Sequence, residues 1–319
     1  MEVSAREDRT PVLATSTDLV GFSRDQIQKG SKSFSFASFF FSKTEREGAW
    51  LLYSWCRACD DRIDQAPSAE AQLQALADLE RDTRRAARGD QTLTDPVFQG
   101  LAVVLREFQI PEKYPLDLLR GMRMDVEGRE YQTLEELEEY CYCVAGVVGL
   151  MMCHVMGLSD SRALSNAVAM GSAMQLTNIC RDVEDDLALG RIYIPTNFLL
   201  EVGLTRANFA TPLGRARWPA LTARLLDAAD ERYRHGVAGL RYLSFRAALA
   251  VAIAGRVYRR IGVKVRARGA HAWENRTYTR LPEKLATALI ATADVGRRLF
   301  TRLWRPWRPA RIDRVWGQT

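Results

Sequence analysis

The stretch Tyr53-Ser-Trp-Cys-Arg-Ala-Cys-Asp-Asp-Arg-Ile-Asp64 indicates both the fold and the chemistry of this 319-residue chain. Four polar residues in it are spaced by four, three and four positions and share one face of a helix: Tyr53, Arg57, Asp60 and Asp64. Apolar residues such as Trp50, Leu52 and Trp55 surround this face, so we expect it to point inward. Carboxylates four positions apart on a buried face repel each other unless a cation lies between them. The stretch therefore predicts a core helix that ends in an inward-facing acidic site.

A second stretch, Gln175-Leu-Thr-Asn-Ile-Cys-Arg-Asp-Val-Glu-Asp-Asp186, repeats the arrangement. Its polar residues are spaced by three, four and four: Gln175, Asn178, Asp182 and Asp186. Residues 163–180 carry no charge, which places this helix in the core, and Gly171 on the same stripe leaves room beside it. Two acidic helix ends that face each other form a cage of oxygen ligands suited to Mg²⁺, with Mn²⁺ as the alternative ion. We expect a diphosphate at this acidic mouth and an apolar tail along the helices.

One Asp-Asp-x-x-Asp motif on a helix is most often only a solvated acidic face. Two aligned stripes on otherwise apolar helices favour the metal and diphosphate interpretation. Basic groups for the phosphates are available in the segment 30–34, a predicted loop that carries hydroxyls and an ammonium group. Five more basic residues lie beside the acids or later in the chain: Arg57, Arg181, Arg191, Arg276 and Lys284.

The rest of the sequence has helical periodicity throughout and almost no strand pattern. Capping boxes are predicted at Ser42/Glu45 and Thr133/Glu136, before helices that run to Asp64 and past Gly149. Further helices are predicted at about 17–29, 70–88, 96–107, 115–125, 162–188, 219–240, 246–267 and 283–303. The prediction is one all-α domain over residues 17–296, between a loose N-terminus (1–16) and a basic tail (297–319).

The net charge of +6 resides entirely in the tail, because residues 297–319 contain seven arginines and one acid. A neutral body with one basic end favours a local anionic contact over nucleic-acid binding. The tail also holds Trp304, Trp307 and Trp316, and indole rings favour the headgroup zone of a membrane. We expect it to bind an anionic membrane surface. The alternative is a basic tail that only aids solubility or packs on the body.

The six cysteines lie in apolar helical patterns, and the N-terminus lacks the layout of a signal peptide. No apolar run is long enough to cross a bilayer. Together these features predict a cytoplasmic protein that associates peripherally with the inner membrane. Cys56/Cys59 with Cys141/Cys143 could bind zinc, although buried thiols are the more ordinary interpretation. The three histidines are isolated, and no serine-hydrolase elbow, P-loop or dinucleotide fingerprint occurs.

Both acidic stretches resemble the two aspartate motifs of the squalene/phytoene synthase family. Four shorter segments match the family in the same order: Gly30-Ser-Lys-Ser-Phe34, Tyr140-Cys-Tyr-Cys-Val-Ala-Gly-Val-Val-Gly149, Gly190-Arg-Ile-Tyr-Ile-Pro195 and Arg256-Val-Tyr258. The resemblance covers residues 20–290, and the stretch 147–152 is most similar to the bacterial branch that makes phytoene. It implies an isoprenoid-synthase helical bundle with a central cavity.

The resemblance also implies a reaction and a set of site residues. Two geranylgeranyl diphosphates would be joined head to head through prephytoene diphosphate, giving phytoene for carotenoid biosynthesis. The implied metal ligands are Asp60, Asp64, Asp182 and Asp186, supported by Asn178 and Gln175. The implied diphosphate ligands are Ser31, Ser33, Arg57, Arg181, Tyr258 and Arg276, and to these we add Arg191 from its position beside the acids. Tyr53 and Tyr140 would line the cavity near the reacting carbons.

Several alternatives stay open. Dehydrosqualene or squalene synthases use farnesyl diphosphate, whereas the small Ser38 in the segment 33–38 favours the longer substrate if that segment lines the cavity. Trp50 and Phe39 to Phe41 would argue the other way if they pointed inward. Chain-elongating prenyltransferases and terpene cyclases fit the second acidic stretch poorly, and a non-catalytic assembly factor has no reason to keep both stretches. We expect no requirement for NADPH, and other enzymes of the carotenoid pathway are candidate partners.

Overall fold

The computed structural model describes residues 16–304, with side chains from residue 18 to residue 297. Over this range the chain is helical and contains no strand, as the sequence predicts. The α-helices are α1 (Ser16–Gly30), α2 (Lys32–Ser38), α3 (Lys43–Asp64), α4 (Ala69–Ala87), α5 (Pro96–Glu107), α6 (Lys113–Val126), α7 (Leu134–Cys141), α8 (Val147–Val155), α9 (Ser161–Arg181), α10 (Val183–Ala188), α11 (Thr196–Glu201), α12 (Pro212–Arg215), α13 (Trp218–Ala238), α14 (Phe245–Arg268) and α15 (Leu281–Trp304).

The two predicted helix starts are both present, but only one has the complete capping box. At α3 the Ser42 hydroxyl accepts from the Glu45 amide, and the Glu45 carboxylate accepts from the Ser42 amide at 2.8 Å. At α7 the Thr133 hydroxyl accepts from the Glu136 amide. The Glu136 carboxylate accepts instead from the amide of Gln132, so the reciprocal bond predicted there is absent.

The segment 30–34, predicted as a loop, is a sharp junction between two helices. Gly30 ends α1, Lys32 begins α2, and Ser31 alone separates them. The Ser31 hydroxyl caps α2 by accepting from the Phe34 amide at 3.2 Å. This cap is the reason that the polar segment continues as a helix.

The helix predicted over 162–188 is interrupted at Asp182, which adopts φ −103° and ψ 19°. Two backbone bonds bridge the interruption, from the Asp182 amide to the Asn178 carbonyl and from the Asp186 amide to the Asp182 carbonyl, both 2.8 Å. The chain therefore bends without losing the alignment of its polar residues. The sequence pattern alone gives no sign of this bend.

Helix α9 lies at the centre of the fold and packs against α8, α13 and α14. A π-helical turn, Tyr142–Gly146, joins α7 to α8 and also packs against α9. Two glycines allow this close approach, because a Cβ at Gly171 would lie 2.4 Å from the Ala145 carbonyl oxygen and one at Gly149 would lie 2.5 Å from the Ala167 oxygen. Gly171 thus brings two backbones together, in addition to leaving room beside α9.

No helix in the described part of the chain is long and apolar enough to cross a membrane. The predicted N-terminal segment (1–16) lies outside the described residues except for Ser16, which begins α1. Helix α15 continues through the start of the predicted tail to Trp304. The remainder of the tail, residues 305–319, lies outside the described residues.

Candidate active site

A long apolar cavity runs between α2, α3, α8, α9 and α14. Along α9 its wall extends from Ala163 to Asn178, and fifteen residues at the helical rise span about 22 Å. The end near Ala163 is lined mainly by apolar side chains that include Met152, Met156 and Leu158. The polar residues that line the cavity near its other end are Ser31, Tyr53, Gln175, Asn178 and Tyr258.

Tyr53 lies at this polar end, in contact with the α1–α2 junction. A Cβ at Gly30 would lie 2.2 Å from the Tyr53 hydroxyl oxygen, so a larger residue there would displace the tyrosine. The ring of Phe34 packs at 5.9 Å from that of Tyr53. Burial raises the pKa of Tyr53 to about 12, so the phenol stays neutral. The structure thus places Tyr53 in the cavity wall, where the sequence predicts it.

Asp60 and Asp64 extend from the last turn of α3 at the polar end of the cavity. No described side chain donates a hydrogen bond to the Asp60 carboxylate. Protein atoms crowd this carboxylate although water reaches the residue, and this partial desolvation, with the charge of Asp64, raises the pKa of Asp60 to about 7. Arg57 forms an ion pair with Asp61, at 2.6 Å between Nη2 and Oδ1, and also attracts the charge of Asp60.

The second acidic pair lies where α9 bends into α10. Asp182 accepts from Arg181 Nε at 2.7 Å and from Arg276 Nη2 at 3.1 Å. Asp186 receives no hydrogen bond from a described side chain. Burial and the charge of Asp182 raise the pKa of Asp186 to about 8. One acid of each pair is therefore left without a hydrogen-bonded partner.

Two observations show that the acidic pairs face each other. Arg191, which follows α10, reaches α3 and places its Nη2 2.8 Å from Oδ1 of Asp64. Asp125, on α6, raises the pKa of both Asp60 and Asp186 through its negative charge. The sequence predicts this facing arrangement, although it does not predict Asp125.

Asp125 is the main site residue that sequence reasoning missed. The hydroxyl of Tyr140 donates to its Oδ2 at 2.9 Å, and that of Tyr193 donates to its Oδ1 at 2.8 Å. Burial raises the pKa of Asp125 to about 6, although Arg191 and the two hydroxyls act in the opposite direction. Asp125 is one of two acids on α6, and its spacing in the sequence does not distinguish it from Asp117. Its significance depends on Tyr193 and Arg191, which only folding brings near.

Tyr140 differs from its predicted position. Its ring is 3% exposed and stacks on Tyr193 at 5.0 Å, and it is absent from the residues that line the cavity. The structure therefore makes Tyr140 a support for Asp125 and corrects its expected place in the cavity wall.

The oxygen-rich end of the cavity fits a magnesium ion by the chemistry of its donors. Carboxylate oxygens are the ligands that Mg²⁺ prefers, and the buried Oδ1 of Asn178 has no hydrogen-bond partner. Asn178 Nδ2 donates to Gln175 Oε1 at 3.3 Å, which fixes the amide. Among the side chains described, from residue 18 to residue 297, no three carboxylates, cysteines or histidines converge into a complete metal site. Mg²⁺ takes its other ligands from water and phosphate, so one or two carboxylates per ion suffice.

The arrangement of the cysteines does not favour a zinc site. The six cysteines are free thiols, and five of them are buried. Cys56 and Cys153 lie in the wall of the apolar cavity, near its two ends. The interpretation of the cysteines as buried thiols agrees with these positions.

Lys284 lies on α15. The sequence shows it as a basic residue available for the phosphates, but not that it is buried. The residue is 7% exposed, and no described acidic side chain forms an ion pair with it. Burial, together with the nearby ammonium of Lys32, lowers the pKa of Lys284. Lys32 begins α2 directly after Ser31, and Ser33 lies in the same first turn. Two neighbouring ammonium groups without an ion-pair partner among the described side chains favour an anion-binding site next to Ser31, which lines the cavity.

Similarity to known proteins agrees with this geometry. The family model for squalene/phytoene synthase matches residues 27–284. The chain belongs to the squalene/phytoene synthase family. A 15-cis-phytoene synthase of Enterobacter agglomerans is 43% identical over 88% of this chain and 96% of its own length. The 15-cis-phytoene synthase of Pantoea ananas is 40% identical over 92% of this chain and 97% of its own.

The squalene/phytoene synthase fold is also found by comparison with solved structures. A dehydrosqualene synthase in complex with a ligand superposes with a TM-score of 0.79 and 28% sequence identity, covering 90% of this chain and 98% of that one. The helical architecture predicted from the sequence, a single-domain isoprenoid-synthase bundle with a central cavity, is confirmed.

Proposed function

We propose that this protein is a Mg²⁺-dependent phytoene synthase that joins two geranylgeranyl diphosphates head to head. The observation that carries the proposal is an apolar cavity about 22 Å long along α9, with two facing carboxylate pairs at its polar end. The phytoene synthases of Enterobacter and Pantoea, similar over nearly their whole length, support the same reaction.

The ions would be held by Asp60 and Asp64 on one side and by Asp182 and Asp186 on the other, with Asn178 Oδ1 as a further ligand. When bound there, Mg²⁺ would neutralise the diphosphate charge and favour its departure. Desolvation, together with the like charge of Asp64 or Asp182, raises the pKa values of Asp60 and Asp186, and a bound cation would offset this cost. Asp125, held by two tyrosine hydroxyls, adds negative potential behind both pairs.

The diphosphates would be bound by basic groups around the same end. Lys284 and Lys32 form one cationic pair, and Ser31 lies beside Lys32. Arg181 and Arg276 approach from the α9–α10 side, where both now hold Asp182. Arg57 and Arg191 pair with Asp61 and Asp64, so their main role would be to position the acidic side chains.

The cavity wall would protect and position the allylic cation that forms when a diphosphate leaves. An allylic cation forms in an apolar space that excludes water, and the rings of Tyr53 and Phe34 lie near the polar end, where they can stabilise positive charge. The double bond of the second substrate attacks this cation, and loss of a proton closes the cyclopropane. Departure of the second diphosphate starts the rearrangement, and loss of another proton gives phytoene. No step of this reaction takes up a hydride, so NADPH is not required.

A second candidate, dehydrosqualene synthesis from farnesyl diphosphate, is favoured by the structural similarity to a dehydrosqualene synthase. Our preference for the longer substrate rests on the similarity to the 15-cis-phytoene synthases, and the residues of the cavity wall do not add to it. Ser38 does not line the cavity, contrary to expectation. Its Oγ accepts from Trp50 Nε1 at 3.1 Å, and neither residue is in the cavity wall. Phe41 does line the cavity, and its bulk favours the shorter substrate, whereas Phe39 is 58% exposed and Trp50 lies outside the wall.

The experiment that tests the proposal is incubation of the purified protein with Mg²⁺ and either geranylgeranyl or farnesyl diphosphate. We expect phytoene from the first substrate. A thirty-carbon hydrocarbon from farnesyl diphosphate alone would favour the second candidate. Absence of product from both substrates would favour a non-catalytic assembly factor.

We also propose that residues 297–319 attach the protein to the inner face of an anionic membrane, from their seven arginines and three tryptophans. A truncation that tests this should end after Trp304. A cut after Asp294 would remove Val295, which is 3% exposed and packs in the core. Loss of salt-sensitive vesicle binding on removal of residues 305–319 is the expected result.

A further inference from the structure

Helix α15 carries an exposed apolar face. Four of its large hydrophobic side chains are more than half exposed, at 61% for Leu281, 51% for Leu285, 74% for Leu289 and 54% for Ile290. The three leucines are spaced by four residues and therefore form one stripe along the helix. Contiguous exposed apolar surface of this kind marks an interaction site more often than a chance feature.

The stripe is free of charge along its described length. At helical spacing it continues from Leu289 to Thr292 and Gly296, neither of them charged. The other side of α15 is buried, with Lys284, Ala288, Ala291 and Val295 facing the body of the protein, and α14 packs against the helix. Beyond the described side chains the sequence keeps the same spacing with Leu299 and Leu303.

The charges around the stripe indicate what covers it. Exposed Arg280 precedes the stripe, and Arg297, which is 75% exposed, follows it. The next 22 residues, 298–319, add six more arginines and one acid. Two copies that paired through this face would bring like-charged segments together. A bilayer with anionic headgroups would complement both the apolar stripe and its basic flanks.

We propose that the exposed face of α15 docks on an anionic lipid bilayer, with Leu281, Leu285 and Leu289 entering the boundary between headgroups and acyl chains. This inference deepens the membrane association proposed above and rests on it, but it assigns the apolar contact to α15 and leaves the electrostatic contact to the tail. Helix α15 packs on α14, which lines the cavity, and it carries Lys284 on its inner side. Docking would thus bring the membrane alongside the cavity that holds apolar chains.

Flotation of the full-length protein with vesicles tests the proposal. The vesicles contain phosphatidylcholine alone or mixed with phosphatidylglycerol. The test variant is Leu285→Ser/Leu289→Ser, and the matched control is Leu200→Ser/Leu213→Ser, which changes two leucines that are 60% and 61% exposed on α11 and α12. None of these side chains is in the core, so all variants should melt like the wild type.

We expect the wild type and the control to bind the anionic vesicles. The α15 variant should have a partition coefficient lower by on the order of tenfold or more, because two leucines no longer enter the bilayer. Turnover of detergent-dispersed substrate should be unchanged in all three proteins. Equal binding by the α15 variant would overturn the proposal and leave the tail as the anchor.

Two further outcomes would also overturn the docking proposal, and each can be told apart from a failure of the proposed reaction. If the wild type makes phytoene but binds no vesicles, membrane association fails while the proposed reaction stands. If the wild type is a dimer by light scattering and the α15 variant is a monomer, the stripe pairs with a second copy of the chain.

Discussion

Arg191 Nη2 lies 2.8 Å from Asp64 Oδ1 and so joins the turn after α10 to the last residue of α3. The two residues are 127 positions apart in the chain. Through this contact the second acidic helix end is held opposite the first, and a cation already balances one of the four principal carboxylates. Asp60 and Asp186 lack a hydrogen-bonded partner among the described side chains. Of the four carboxylates, these two would therefore be stabilised most by a bound cation.

Replacement of Asp60 or Asp186 by asparagine should abolish most activity without harming the fold. We expect kcat to fall by on the order of 100-fold or more, whereas the melting temperature should stay constant or rise because a repulsive charge is removed. Turnover and thermal melts of each variant measure the two effects. Glu184→Gln is the matched control, since Glu184 lies between Asp182 and Asp186 in sequence but pairs with Arg215. Full activity in both Asp variants would refute their proposed role.

Stability of the metal-free protein should fall as pH rises from about 4 to about 8. Asp60 and Asp186 have pKa values of about 7 and about 8, above the ordinary value of 3.8. Between these limits the folded protein binds more protons than the unfolded chain, so the free energy of unfolding decreases with pH. Denaturant melts in the presence of a chelator measure the slope. In Asp60→Asn/Asp186→Asn the decrease should be smaller, and an identical slope would contradict these pKa shifts.

Replacement of Lys284 by methionine should stabilise the substrate-free protein and weaken its affinity for diphosphate. The buried ammonium has no ion-pair partner among the described residues, so an apolar side chain of similar length removes a desolvation cost. We expect about tenfold weaker binding of inorganic pyrophosphate with Mg²⁺, measured by calorimetry. Lys43→Met, at an 81% exposed side chain, is the control. A destabilised variant with unchanged pyrophosphate affinity would show that Lys284 is structural.

Replacement of Ala163 by a larger residue should shift the preference of the enzyme to a substrate with a shorter chain. Ala163 lines the apolar end of the cavity, away from the acidic pairs, and is 3% exposed. We expect Ala163→Leu to lower kcat/KM for geranylgeranyl diphosphate by at least about tenfold, since an apolar pocket discriminates chain length by about 1–3 kcal/mol per methylene. The value for farnesyl diphosphate should change much less. Equal losses with both substrates would indicate damage to the site rather than a shorter cavity.

The sequence predicts the parts of this molecule that depend on local spacing. The stripes from Tyr53 to Asp64 and from Gln175 to Asp186 have the expected helical faces, and the Ser42 capping box is confirmed. The bend at Asp182 was missed because no proline or glycine marks it. The junction at Ser31 was missed because a polar Gly-Ser-Lys-Ser run is typical of loops, whereas here the serine caps the next helix.

The parts that depend on tertiary contacts were harder to predict. Asp125 is significant only because Tyr140 and Tyr193 meet at its carboxylate, 15 and 68 residues away in the chain. Tyr140 was expected in the cavity wall from the family resemblance, and the sequence does not show which way its ring points. Ser38 was assigned there on similar grounds, and its hydrogen bond with Trp50 shows a different packing.

The most direct measurement is a competition reaction with equal concentrations of geranylgeranyl and farnesyl diphosphate, Mg²⁺, and either no nicotinamide or added NADPH. The products are identified by mass spectrometry. We predict that phytoene is the dominant hydrocarbon, in the same amount with and without NADPH, and that Asp60→Asn/Asp186→Asn makes none. A dominant thirty-carbon hydrocarbon, or a reduced product that depends on NADPH, would contradict the proposed reaction.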